Sequence, residues 1–236
     1  VRKLRDRRWR DKLGLLVVEG EDLLAAAAAA GVEPVELLLA AGSGGGRAAA
    51  ARPERPAFGG KGENVVPSLL AEVSTLAHPP RAIGVFRRED LPHGTRPVTL
   101  ALWRVADPGN VGTLLRSADA FGAGVALSGG CADPTSPKAV RASMGALFRV
   151  PLADFDEPRG RRVALVPHGG TALPELEVGA AVVLVLGSER EGLPDDVLER
   201  CEERASIPQP GGGESLNVAM AGAIALYELS RRSDAA

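Results

Sequence analysis

The chain has 236 residues, a net charge of −2 and 45% apolar residues, enough for one large domain or for a small and a medium one. Aromatics make up only 3%, so Ala, Val and Leu must build the core. The near-neutral total carries no global polyanion-binding signature, and the two cysteines and three isolated histidines fit no metal-ligand spacing. No apolar run approaches the ~20 residues of a membrane span, and no signal-type apolar segment follows the basic N-terminus, so a cytoplasmic protein without membrane contact is expected.

The first twelve residues, "VRKLRDRRWRDK", carry seven basic and two acidic side chains, which leaves about −7 for the remainder. They read as a charged helix. Such asymmetry fits a contact with nucleic-acid phosphates, with Trp9 stacking on a base, and equally a solvated amphipathic helix. "LGLLVVEG" reads as a buried strand and "EDLLAAAAAAG" as a helix ended by Gly31. "VELLLA" is a second strand. "AGSGGGRAAAARPERPAFGGKG" is low in complexity and reads as a loop or insert, with "RAAAAR" able to form a helical turn. "ENVV", "PSLLAEVS" and "RAIGVF" follow as strand, helix and strand, completing a small α/β unit. The polar, proline-bearing "RREDLPHGTRP" marks the boundary, giving domains at 1–92 and 96–236.

The second half opens on the strand "VTLALW", then the loop "RVADPG" and the helix "NVGTLLRSADAFG", with Asn110 as its expected cap. "GVALSG" is a strand, "SPKAVRASMGAL" a helix, and "RVALV" and "AVVLVLG" are strands. The short helix "PDDVLERC" and the strand "RASI" lead into "IPQPGGGESLNVAMAGAIALYE". There Val218, Ala221, Ile224, Ala225 and Leu229 recur at helical spacing, so a helix starts near Ser215. The alternation predicts a mostly parallel sheet with covered faces and a ligand site beyond the carboxyl ends of the strands. Three loops fall there: "RVADPGN", "GSEREGLP" and "PQPGGGESLN". Each has a plain structural explanation alone: Asn110, Ser215 or Asn217 as helix caps, Arg116 in a salt bridge, Glu189 solvated past a strand end.

Taken together and in order, "NVGTLLRSADAFG", "LVLGSEREGLP" and "IPQPGGGESLNVAMAGAIALYE" resemble the SpoU-type (TrmH-like) RNA 2'-O-ribose methyltransferases of the SPOUT superfamily. The likeness covers the chain from about Val98 onward, and "LLVVEGEDLLAAAAAAG" is similar to that family's small N-terminal unit. The resemblance implies an α/β fold with a C-terminal trefoil-knotted methyltransferase domain and an L30e-like substrate-binding domain. It implies S-adenosylmethionine as cofactor, RNA as partner, with rRNA ahead of tRNA, and a homodimer through the C-terminal domain.

By the same resemblance the catalytic set is Asn110, Arg116, Glu189, Ser215 and Asn217. The cofactor set is Leu186, Gly187, Glu189, Ile207, Ser215, Leu216 and Asn217. A guanidinium keeps its proton and is a poor base, so Arg116 is read as a fork for phosphate and alkoxide charge. The proton then goes to water, phosphate or Glu189. Gln209 stands where the family often has Met, a departure that bears on cofactor affinity. An RNA-binding module of the same fold without turnover is the alternative. A dinucleotide-dependent enzyme is disfavoured, because "FGAG" precedes a strand instead of opening a helix.

Overall fold

The computed structural model describes residues 1–41 and 62–233. The low-complexity insert expected as a loop lies outside the described residues except at its two ends. The N-terminal segment breaks into a 3-10 turn, Arg2–Arg5, and the helix α1 (Arg7–Leu13). Asp6 makes the break: it is extended, and its side chain accepts the Arg8 N–H, capping α1. Then come β1 (Leu15–Glu19), α2 (Glu21–Ala29), β2 (Glu36–Ala40), β3 (Glu63–Val65), α3 (Pro67–Val73) and β4 (Ala82–Arg87). Their sheet has the order β1-β4-β2-β3, with β4 antiparallel to both neighbours and β2–β3 parallel.

The second sheet is built from β5 (Val98–Leu102), β6 (Gly124–Leu127), β7 (Leu152–Asp154), β8 (Arg161–Leu165), β9 (Thr171–Ala172), β10 (Val182–Leu186) and β11 (Glu203–Ser206). Every pairing in it is parallel, in the order β7-β6-β5-β10-β8-β11-β9. The central strand β10 is buried along its whole length, as its unbroken "VVLVL" demands of a strand covered on both faces. β7 and β9 were not expected. They are too short to show alternation, and only pairing with β6 and β11 makes them strands.

The helices of this half are α4 (Pro108–Ala120), α5 (Pro137–Ser143), α6 (Asp195–Leu198) and α7 (Val218–Ser233). α4 lies between α5 and α7, and two glycines permit the approach. A Cβ on Gly112 would stand 2.5 Å from the Ala139 carbonyl oxygen, and one on Gly222 2.4 Å from Leu114 Cδ2. α7 starts three residues later than expected. It buries Ala219, Ala225, Leu226 and Leu229 and leaves Met220, Ile224 and Tyr227 exposed. Of the residues recurring at helical spacing, Ile224 points outward while Ala225 and Leu229 are buried. Among the described residues no helix is long and apolar enough to cross a membrane, and no cluster of metal-ligating side chains forms.

The two sheets share one apolar core. Leu16, Leu24 and Phe86 of the first belong with Leu114, Leu147 and Phe148 of the second, and the Phe86 and Phe148 rings lie 5.4 Å apart. A polar tie reinforces it. Arg10, only 3% exposed, donates from Nε to Asp133 at 2.8 Å and from Nη1 to the Leu4 and Arg5 carbonyls. Asp133 also accepts the Thr135 N–H and hydroxyl. Part of the N-terminal positive charge is thus structural: Arg2 pairs with Glu72 and Arg5 donates to the Glu72 and Ser74 carbonyls, while Arg7 stays exposed with only a 3.6 Å approach to Asp11. Trp9 is half-buried, with the Lys3 and Lys12 amines 4.6 and 5.1 Å from its ring centroid.

Candidate active site

The carboxyl ends of β8 and β10 and the segment between β11 and α7 enclose a cavity of about 600 Å³. One wall is apolar: Leu165, Pro167, Leu186, Ile207, Leu216 and Ala221. The rim is polar, with Ser188, Glu189, Ser215 and Asn217. Leu186, Gly187, Glu189, Ile207, Ser215, Leu216 and Asn217, all named from the sequence, line it together. Leu165–Pro167 were missed. Their only signal was position at the end of a parallel strand, and strand order was not legible beforehand.

Each loop is held open by its own local chemistry. After β10 the chain turns back at once, with Ser188 and Gly192 exchanging N–H···O bonds of 3.1 Å in both directions. Gly192 takes φ +66, and a Cβ on Gly187 would stand 2.3 Å from the Gly192 carbonyl carbon, so the tight loop needs glycine at both places. At the start of α4 the cap is Asp107, whose side chain accepts the Asn110 N–H at 3.0 Å. Asn110, expected as the cap, lies inside the first turn instead. Pro108 at the first helical position fixes that frame, since its preset φ and missing N–H suit the first residue after a cap. The Lys138 amine on α5 holds Asp107 at 2.7 Å, and this bond is the main reason its carboxyl lies below the usual range.

The third loop ends at Asn217, not Ser215, as the cap. Asn217 Oδ1 accepts the Ala219 and Met220 N–H groups at 2.9 and 3.3 Å. Its Nδ2 donates to Asn110 Oδ1 at 3.2 Å, and Asn110 Nδ2 donates to Glu189 Oε1 at 2.8 Å. Glu189 further accepts the backbone N–H groups of Ala106 and Asp107, both at 3.2 Å. Side chains 107 positions apart in sequence thus form one hydrogen-bonded line at the rim of the cavity. Burial pulls the Glu189 carboxyl upward. The bonds from Asn110 and from the N–H groups of Glu189, Ala106 and Asp107 outweigh it and hold the group below its ordinary value. A carboxylate so occupied is a clasp between two loops and a poor proton acceptor.

Arg116 stands apart. It is on the exposed face of α4 and does not line the cavity. It makes no hydrogen bond or ion pair with any described residue. The six residues from Asn110 carry it about 9 Å along the helix axis.

Two of the three motif loops line one cavity and the third, through Asn110, is tied to its rim, an arrangement that agrees with comparison against known proteins. The sequence matches the model of the SpoU rRNA Methylase family over residues 97–227. The chain belongs to that family. A tRNA/rRNA methyltransferase from Synechocystis, itself uncharacterised, is 35% identical over 184 residues, 71% of this chain and 66% of that protein. A 23S rRNA uridine 2'-O-methyltransferase from Streptomyces viridochromogenes is 35% identical over 145 residues, 55% of this chain and 50% of that one. The chain therefore spans about half to two thirds of the length of these curated relatives. Among solved structures, an AdoMet-bound rRNA methyltransferase from Sinorhizobium meliloti superposes with a TM-score of 0.80 at 30% identity, covering 98% of this chain and 92% of that one. The SpoU methyltransferase from S. viridochromogenes in complex with AdoMet gives 0.80 at 26% identity, covering 98% and 95%. Within this SpoU family member, Asn110, Glu189 and Asn217 are brought into contact, Ser215 lies on the same rim, and Arg116 remains outside.

Proposed function

We propose that the protein transfers a methyl group from S-adenosylmethionine to a ribose 2'-hydroxyl of RNA, with ribosomal RNA ahead of transfer RNA as substrate. The observation that carries this reading is the line Glu189–Asn110–Asn217 at the rim of the 600 Å³ cavity. The relatives named for tRNA/rRNA methylation and the two AdoMet-bound neighbours support it.

The cavity suits the cofactor's two halves. Leu165, Pro167, Ile207 and Leu216 offer an apolar wall for a planar base, and backbone at Leu186 and Gly187 is open to close approach. Ser188, Ser215 and Asn217 offer hydrogen bonds to a charged amino-acid end. When bound, the cofactor supplies a methyl group already activated on a sulfonium. What remains for the protein is alignment, which can supply roughly 7–11 kcal/mol of barrier reduction at best, and one proton.

Glu189, kept ionised, locks the loop before α4 to the loop after β10 and so fixes the rim. Asn110 and Asn217 orient each other and present their amides there. Because Glu189 is already committed to three partners, the proton of the hydroxyl goes to water or to a phosphate of the RNA. Arg116, outward and without a partner among the described residues, serves as a fork for an RNA phosphate.

The placement of β10 between β5 and β8, with the chain returning past its carboxyl end before α7, supports a trefoil knot. Met220, Ile224 and Tyr227 form an exposed apolar stripe on α7 and support a homodimer through this half. Residues 1–92 would act as the L30e-like substrate-binding unit and residues 96–236 as the catalytic one.

The test is calorimetric titration with S-adenosylmethionine, followed by transfer of labelled methyl to transcribed ribosomal RNA. A ribose methyl blocks alkaline cleavage at its own phosphodiester, so label recovered in alkali-resistant dinucleotides identifies the 2'-oxygen. No binding to folded protein would overturn the cofactor assignment. Binding without transfer to any RNA would favour the RNA-binding module.

A further inference from the structure

A second cleft, of about 390 Å³, opens at the same carboxyl edge of the parallel sheet as the first cavity. Leu127 at the end of β6 and Leu152 and Asp154 of β7 form its floor. Arg7 and Arg88 of the first unit and Glu157 form its rim. In the order β7-β6-β5-β10-β8 the two cavities are three strand spacings apart, roughly 14 Å. One nucleotide cannot fill both, but a near neighbour on the same strand can reach.

The bar between them is the loop after β5. Near one end the Arg104 N–H donates at 2.9 Å to the Ser128 hydroxyl, part of the second cleft's wall. Near the other, Ala106 and Asp107 donate to Glu189 of the first cavity. Arg104 takes φ +52, rare for a residue with a Cβ, and its side chain lies along Gly130, where an added Cβ would stand 3.3 Å from Nε. The residue is exposed, and its guanidinium has no hydrogen bond or ion pair to any described residue. Backbone strain held at a cation with no partner among the described residues, between two cavities, points to a ligand role for that cation.

Resting on the proposed RNA substrate, we infer that the second cleft receives a nucleotide flanking the methylated one, with Arg104 clasping a phosphate between the two. The floor of Leu127 and Leu152 takes the face of the base. Arg7, in only a 3.6 Å contact with Asp11, is available to a second phosphate. The Asp154 carboxylate has no partner among the described residues, and Glu157 spends one oxygen on the Asp154 N–H. Carboxylates accept from exocyclic amines, so the cleft prefers a base carrying an amino group over uracil.

Arg104→Gly and Arg7→Gln test this. Glycine takes φ +52 freely, so Arg104→Gly removes the cation while keeping the loop's fold, which thermal melting and S-adenosylmethionine titration verify. Binding of a short mixed-sequence single-stranded RNA is followed by anisotropy across a KCl series. Each variant weakens binding several-fold at low salt and lowers the slope of log K against log salt by ~0.7. With 6-thioguanosine, which keeps an exocyclic amino group, in the RNA, crosslinks fall within residues 127–134 or 152–157. Unchanged salt slopes in both variants, or crosslinks absent from both segments, overturn the inference. A wild type that binds S-adenosylmethionine and methylates RNA while the variants behave identically to it overturns this inference alone. A wild type that binds neither ligand overturns the proposed function and this with it.

Discussion

Asn217 does two jobs with two different atoms, and substitution can separate them. Its Oδ1 caps α7 through the Ala219 and Met220 N–H groups, while its Nδ2 donates to Asn110. Asn217→Ala removes both. Loss of the cap costs about 1 kcal/mol, and loss of the exposed hydrogen bond adds about 0.5 kcal/mol, the low end for a solvent-exposed pair. Asn217→Asp keeps the capping oxygen and gains roughly 0.3–1 kcal/mol from a negative charge at a helix N-terminus. It loses the amide donor and brings a second carboxylate near the Asn110–Glu189 pair. The net effect on stability is therefore about zero, and the effect on function matches that of Ala. Urea unfolding gives the first quantity. Methyl transfer and S-adenosylmethionine titration give the second. If Asp is as destabilised as Ala, Asn217 is not the cap. If Asp retains full transfer, the donor to Asn110 is irrelevant and the line of three side chains is not the active centre.

Other outcomes follow from the same geometry. Glu189→Gln turns one acceptor into a donor facing N–H groups and removes the charge from the rest. Discounted for solvent exposure, it costs about 1 kcal/mol of stability and weakens cofactor binding more than it melts the fold, as calorimetry will show. Gly187→Ala drives a methyl into the backbone of Gly192 and Leu193, which cannot yield as a side chain could. It should lower stability by about 1–3 kcal/mol and abolish S-adenosylmethionine binding. Arg10→Met leaves Asp133 buried with only Thr135 and a distant Arg88, and costs about 3 kcal/mol in urea unfolding. For Asp133, burial pushes the carboxyl upward, but the Thr135 and Arg10 hydrogen bonds win and lower it. Its folded value thus lies below the ordinary 3.8, as that of Glu189 lies below 4.5. Their stabilisation is complete above those ordinary values and is lost as pH falls through the lower folded ones, so acid melts should flatten in Glu189→Gln.

The local signals read well where a short window carries the physics. Unbroken apolar runs such as "VVLVL" mark covered strands, and "ESLN" after a glycine-rich turn marks a helix start. The three loops lie at strand ends because alternating elements leave them there. The same windows misplace the caps. Asn110 is a good capping residue, yet Asp107 holds the position, and of the two candidates Ser215 and Asn217 it is Asn217 that caps α7. Which of several capping types is used depends on where the helix axis must lie to pack, and Gly112 and Gly222 fix that through contacts with α5 and Leu114.

By itself the sequence determined the types of the longer elements and the residue types that meet at the rim, because each rests on composition within a few residues or on a recognisable motif. Tertiary structure alone decided that β10 lies between β5 and β8, and with that which loops become neighbours and that Leu165–Pro167 wall the cavity. It also decided the fate of the charges. Arg10 is drawn inside because Asp133, 123 positions away, meets it there, while Arg116 on a largely apolar helix is left outward and without a partner among the described residues. Strand register and the pairing of distant charges are set by long-range packing, whose energy no local window contains.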